Sequence, residues 1–374
     1  MQLNAIGLVG VLVLINLIQF VGFDFVTGTC LVLLSDNETC RSALAPPLVR
    51  KNPLVTFNDK QFKKDFRFAK ADIPKLLRVL QWPPVMYTVN RVVFSSEICL
   101  LMVLYRFAFP STMNKFEVTF GVHHTACSHI VTRGVELLSA KFENRLTDFD
   151  LVLVLQRLEM YKAAIHKKSK GVCQDCYALI DATLHQITRP CGAGRRRRNI
   201  RNQNNIQRAA YSGHKRHHGL KFQSVIVPDG MLVQMFGPIE GRRHDTTVLK
   251  ESRLEERLQL LPPDCYIYGD QAYPVRTWLL SPFRGPNKPI PMRRWNRKMR
   301  TVRISVEHGY KIITTLWSHL RYVPAQQVFK TPVAKQYVAC AALTNLHNCL
   351  YPNQVAQHFG LTPPSLEEYC AMYV

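Results

Sequence analysis

Apolar positions along the chain follow two different rhythms. Residues 60–80 (KQFKKDFRFAKADIPKLLRVL) read as a basic helical region. Glu97 to Phe109 is apolar enough for a buried helix, and Thr112 to Phe120, Gly121 and Thr125 to Leu138 follow. Helix, short helix, glycine turn, helix is the outline of a helix-turn-helix whose last helix could enter a DNA groove. An ordinary helical bundle fits the same pattern. Residues 150–168 continue as an amphipathic helix, and 46–59 read as a proline-containing linker.

After Gly171 the rhythm changes. Tyr177 to Leu184 (YALIDATL) reads as a buried strand. Leu220 to Val227 and Met231 to Phe236 read as two more, joined by Pro228-Asp229-Gly230, a turn flanked by β-formers and hence a hairpin. Thr246 to Leu260 is expected helical, Cys265 to Tyr268 a short strand, Pro274 to Leu280 a helical turn and Thr301 to Leu320 a long helix. Strand, hairpin, helix, strand, helix is an α/β order. The expected organisation is a hydrophobic segment at 1–48, a helical region at 49–170, an α/β domain at 171–330 and a C-terminal helical tail at 331–374.

Composition changes this picture in three ways. The net charge is +23, from 49 Lys+Arg against 26 Asp+Glu, a field that draws in polyanions. Nucleic acid is the leading polyanion, because phosphate neutralisation supplies most non-specific affinity; an anionic membrane is the blander choice. Between Arg189 and Lys221 lie ten Lys/Arg and no acid, including Arg195, Arg196, Arg197 and Arg198, which suit phosphate contacts or nuclear import. A solvated basic loop is the plain alternative. The eleven cysteines are irregularly spaced, with a lone CxxC at Cys173 and Cys176, and read as reduced structural thiols of an intracellular protein. Ala5 to Phe23 is an uncharged, mostly apolar run that no Lys or Arg precedes. A buried helix, a membrane or signal segment, and a misassigned start all remain open for it.

Four acids stand out by position. Asp181 lies inside the strand Leu179-Ile180-Asp181-Ala182-Thr183, and Asp245 follows the hairpin in His244-Asp245-Thr246. Asp270 ends the next strand in Tyr268-Gly269-Asp270, and Glu307 sits on the last long helix. A charged Asp in an apolar strand is costly unless paired or metal-bound. Strand ends of α/β sheets are where ligands bind. Between Asp270 and Glu307 are nine Lys/Arg and no acid, with Arg293, Arg294, Arg297 and Lys298 the densest group. Taken singly, each acid could cap a helix or pair locally, as Asp245 ahead of Thr246 would. Together they suit phosphodiester cleavage, in which hard divalent cations held by Asp and Glu activate the nucleophile and stabilise the leaving oxygen.

At these residues the chain resembles the DDE-type transposases of the PIF/Harbinger superfamily and their domesticated nuclease relatives. The resemblance is carried by Ile180-Asp181-Ala182-Thr183, His244-Asp245-Thr246, Gly269-Asp270-Gln271-Ala272-Tyr273-Pro274 and Arg303-Ile304-Ser305-Val306-Glu307, and covers roughly residues 95–325. It departs from the family pattern where Ala182 replaces a glycine, where Leu184 displaces the following histidine to His185, and in the residues after Glu307. The resemblance implies an RNase H-like mixed-sheet catalytic domain preceded by the helical, helix-turn-helix-like region. It implies Asp181, Asp270 and Glu307 as the catalytic triad, with Asp245 a further metal-site acid, and Mg²⁺ or Mn²⁺ as cofactor. It also implies DNA hydrolysis with strand transfer, in the nucleus, with DNA, a Myb-like DNA-binding protein and a second copy of the chain as expected partners. The rival expectations are a domesticated, catalytically silent DNA-binding protein and a basic protein anchored to a membrane by residues 5–23.

Overall fold

The computed structural model describes residues 50–88, 92–190 and 206–371. By internal contacts the chain divides into Met1–Leu48 and Val49–Val374, and everything described falls in the second unit. The apolar run at 5–23, the segment 1–48 and the Arg195–Arg198 block lie outside the described residues. Among the described residues no helix is long and apolar enough to cross a membrane.

The N-terminal part is helical, and local chemistry sets its boundaries. The stretch 46–59, read as linker, holds a helical turn at Pro53–Thr56. Helix α1 (Asp59–Phe66) starts where the Asn58 side chain accepts from Gln61 N at 2.8 Å. Helix α2 (Ile73–Leu80) follows, then a two-strand hairpin of β1 (Val85–Tyr87) and β2 (Val93–Ser95), too short to show in the apolar pattern. Helix α3 (Ser96–Ala108) buries eight of its thirteen residues, as its all-round apolar sequence requires. Helix α4 (Met113–Phe120) stops at Gly121, whose φ of 61° is left-handed and favours glycine. Helix α5 (His124–Glu143) crosses α3 at Gly134, where a Cβ would stand 2.4 Å from Val103 Cγ2. Helix α6 (Leu151–Lys168) is capped by the buried Asp150 carboxylate, which accepts from Leu153 N at 3.2 Å.

The α/β part is built on β3 (Cys176–Gln186), β4 (Tyr211–Ser212), β5 (His217–Ile226) and β6 (Leu232–Glu240). The expected hairpin is present, and its turn closes through Gly230 N to Val227 O at 2.9 Å with Gly230 at φ 85°. The expected single helix from Thr246 to Leu260 is two, α7 (Asp245–Glu251) and α8 (Leu254–Leu258), because the chain turns left-handed at Arg253. Strand β7 (Tyr266–Tyr268) then pairs parallel to β3. The expected helical turn at 274–280 ends instead in strand β8 (Leu279–Leu280), parallel to β7. There Leu279 is buried on a sheet edge that a single helical turn would leave open.

Helix α9 (Ile290–Leu316) begins eleven residues before the expected Thr301, from Pro291 in the first turn. Its arginine-rich start hides the apolar period. Helices α10 (Val333–Leu350), α11 (Gln354–Phe359) and α12 (Leu366–Ala371) complete the described chain. The main sheet runs β6–β5–β3–β7–β8; β5 is antiparallel to both its neighbours, β6 and β3, and β7 and β8 run parallel to β3. Helix α9 packs on β3, and one continuous buried cluster reaches from Phe62 to Tyr369.

Candidate active site

Sheet register brings the first two acids together. Leu179 of β3 pairs with Tyr268 of β7 in parallel, so Asp181 lies two residues further along β3 and Asp270 two residues past the end of β7. Neighbouring strands are about 4.8 Å apart, which puts the two residues at one level on neighbouring stretches of chain, at the C-terminal end of β7. Asp270 turns the chain there, its Oδ1 accepting from Ala272 N at 2.8 Å. Asp245 arrives from the far side of β5. Lys221 of β5 holds it, Nζ to Oδ1 at 2.8 Å, and donates also to Arg243 O at 2.5 Å.

The charges of all three acids are felt at the same points. Burial raises the Asp181 carboxyl to about 6. The Arg303 guanidinium and the Ala182 N–H (2.9 Å to Oδ1) draw it down, while the negative charges of Asp270 and Asp245 push it up. Tyr273, of the Gly269-to-Pro274 motif, is fully buried, and its hydroxyl is pushed well above the ordinary range by burial, then by Tyr310, Asp245, Asp181 and Asp270. Its ring packs so closely on Gly269 that a Cβ there would stand 2.8 Å from Tyr273 Cδ2. That contact explains the glycine ahead of Asp270.

Glu307 is placed by its helix. Arg303, Glu307 and Tyr310 stand at i, i+4 and i+7 on α9, one side of the helix. Arg303 acts on Asp181 electrostatically, and the Tyr310 hydroxyl donates to Asp181 O at 2.6 Å while accepting from Ser224 N at 3.1 Å. Asp181 and Ser224 face each other across β3 and β5, so this phenol pins α9 to both strands. Glu307 is exposed and makes no hydrogen bond or ion pair among the described residues. The structure therefore gathers Asp181, Asp245 and Asp270 directly and leaves Glu307 free on the flanking helix.

Tyr310 and Lys221 are the site residues that sequence reading passed over. The only signal for Tyr310 was its position one turn after Glu307. Replacing it with Phe leaves a buried N–H and a buried carbonyl short of a partner, costing about 1–3 kcal/mol. Tyr310→Phe is expected to melt several degrees below wild type, and an unchanged melting temperature in scanning fluorimetry would refute the pinning role.

The donor set fits a hard divalent cation. It offers carboxylate oxygens and no thiolate or imidazole, and the Asp181 carboxyl is raised first by burial and then by the negative charges of Asp270 and Asp245, against the pull of Arg303. A separate group of metal-ligating type sits at the α4–α5 corner. Glu117, His123 and His124 hold one ligand atom each within 4.8 Å of one another. Here Glu117 accepts from His124 N and contacts His124 Nδ1, both at 2.7 Å, which makes it first a cap on α5. The described cysteines carry no disulfide, and Cys173 and Cys176 are both buried. The basic residues Arg293, Arg294 and Arg297 are exposed on the first turns of α9, with Lys298 half-buried beside them.

Residues 180–345 match the family described as DDE superfamily endonuclease, which points to a nuclease or transposase with DNA as its substrate class. The matched span holds all four acids and runs from β3 into α10, and divalent metals are typical of the family it matches. Neither the curated proteins nor the solved structures contain a match to this chain.

Proposed function

We propose that this chain is a metal-dependent DNA endonuclease or transposase of the PIF/Harbinger type, with an RNase H-like catalytic domain. The observation that carries the reading is the convergence of Asp181, Asp245 and Asp270, read together at Tyr273. The sheet order supports the fold reading: three antiparallel strands, then two parallel ones, with the acid-bearing β3 at the centre. Asp181 and Asp270 hold the metal, Asp245 supports them, and Glu307 completes the set from α9. When bound, Mg²⁺ or Mn²⁺ supplies Lewis acidity at the phosphate and activates the attacking water or hydroxyl.

The protein's own part is placement. Tyr310 fixes α9 against β3, and so sets where Glu307 stands relative to Asp181. Arg303 offsets part of the negative charge that gathers there. Arg293, Arg294, Arg297 and Lys298 grip the DNA backbone; at 1.5 Å per residue they lie about 14–21 Å along the helix from Glu307. Arg195 to Arg198 add a further phosphate contact, and the α4–Gly121–α5 corner presents His124, Thr125 and Arg133 to a groove as a helix-turn-helix. A nuclear location and a Myb-like recognition partner complete the proposal.

The test is cleavage of labelled DNA by the purified full chain with Mg²⁺, with Mn²⁺ and with EDTA. Cutting with either metal and none in EDTA is expected. DNA bound but uncut in both metals would replace this reading with the silent, domesticated DNA-binding protein.

A further inference from the structure

The first turns of α9 border a cleft of about 360 Å³, lined by Val172, Ile290, Pro291, Arg294, Trp295 and Lys298. Trp295 is clamped by two edge contacts, its centroid 5.6 Å from Tyr268 at 72° and 5.1 Å from Phe283 at 69°. Lys298 Nζ donates to Lys170 O at 3.0 Å, which fixes one cation at the cleft. Ile290 is 73% exposed, and Phe283 and Met292 are exposed nearby.

A held indole, solvated apolar side chains, one fixed cation and the exposed Arg294 ask for a partner that is both anionic and flat. Paired DNA offers phosphates but hides its base faces in the stack. An unpaired nucleotide offers both, and stacking on an aromatic ring is how single strands are commonly held. Tyr268, on which Trp295 rests, is two residues ahead of Asp270, so the cleft adjoins the strand end that carries the carboxylates.

We propose that this cleft takes an unpaired nucleotide of the DNA, its base against Trp295 and Ile290 and its phosphates on Arg294 and Lys298. This rests on the DNA reading above and adds to it a strand that is locally unpaired beside the site of cutting.

The experiment is equilibrium binding by the full chain in EDTA, so that nothing is cut. The probes are a single-stranded oligonucleotide, the fully paired duplex of the same sequence, and anionic phospholipid vesicles. Trp295→Ala should weaken single-strand binding by about 5- to 100-fold, the usual worth of one stacked base, and leave duplex binding nearly unchanged. Trp295→Phe should keep most of the affinity. Ile290→Ser changes a residue that is already in water, so it leaves the fold intact and should shift the same preference in the same direction. Equal losses on both DNA forms, or no loss on the single strand, would overturn the proposal. So would vesicle binding that falls in Ile290→Ser while single-strand binding does not. Because metal is absent, a chain that never cuts can still show the Trp295 effect, whereas a chain that binds no DNA removes both readings.

Discussion

Asp181→Asn and Asp270→Asn are each expected to abolish metal-dependent cutting, by on the order of a thousandfold or more, while leaving DNA binding in EDTA intact. Only Asp181→Asn should also stabilise the metal-free protein. Its carboxyl lies at about 6 in the fold against an ordinary 3.8, so the folded state holds the proton more tightly than the unfolded one. At neutral pH the ionised group then costs about 3 kcal/mol of stability, at 1.36 kcal/mol per pH unit. Asparagine keeps an acceptor for Ala182 N and sheds the charge. At about 2–4 °C per kcal/mol, the variant should melt roughly 6–12 °C higher in EDTA.

The pH dependence has a definite sign. A raised carboxyl stabilises the fold below its unfolded value and loses that contribution as pH rises through about 6. The gap between variant and wild type should therefore be widest above pH 6 and close towards pH 4. Asp150, also raised to about 6 by burial, titrates in both proteins and cancels in the difference. Metal binding needs the ionised carboxylate, so Mg²⁺ should raise the melting temperature of wild type more at neutral than at acidic pH. It should do little for Asp181→Asn. A variant that melts below wild type at neutral pH without metal would refute the picture of a buried, destabilising Asp181 carboxylate, whatever its activity.

The acids were legible in the sequence because each breaks a local rule. Asp181 interrupts an apolar strand, and Asp270 follows a glycine at a strand end. Their proximity depends on the parallel register of β3 and β7, which hydrophobic period alone does not set. The start of α9 was obscured because Arg293 to Arg300 fill the exposed positions of the helix and dilute its apolar repeat. Strand β8 was lost because two residues carry too short a period to separate from a turn. Tyr310 was missed because a tyrosine on a helix face ordinarily means packing. Here its hydroxyl, buried between two strands, holds the site helix in place.

The same separation of chemistry from support predicts the opposite behaviour for Asn345. Strand β6 shifts register against β5 between Val225 and Ile226, and next to that irregularity Leu232 turns its backbone to a side chain. Asn345 of α10, fully buried, accepts from Leu232 N at 2.9 Å and donates to Leu232 O at 2.8 Å and to the Tyr369 hydroxyl at 2.9 Å. Asn348 Nδ2 donates to Gly230 O at 2.8 Å and Asn353 Nδ2 to Asp229 O at 3.0 Å, so three asparagines clamp the β5–β6 turn. Leucine has the branched outline of asparagine in a larger volume and none of its hydrogen bonds. Asn345→Leu strands three buried polar groups at about 1–3 kcal/mol each, a loss of roughly 3–5 kcal/mol after relaxation. The melting temperature should fall by about 10 °C. Since Asn345 touches the hairpin and not the carboxylates, the protein that remains folded at low temperature should cut at the wild-type rate per folded molecule. Asp181→Asn would thus be a dead and more stable protein, and Asn345→Leu a live and fragile one. A full loss of cutting in Asn345→Leu at a temperature where circular dichroism shows it folded would mean that the hairpin clamp and the acidic site are not separable, and would require α10 to be counted among the elements that form the site.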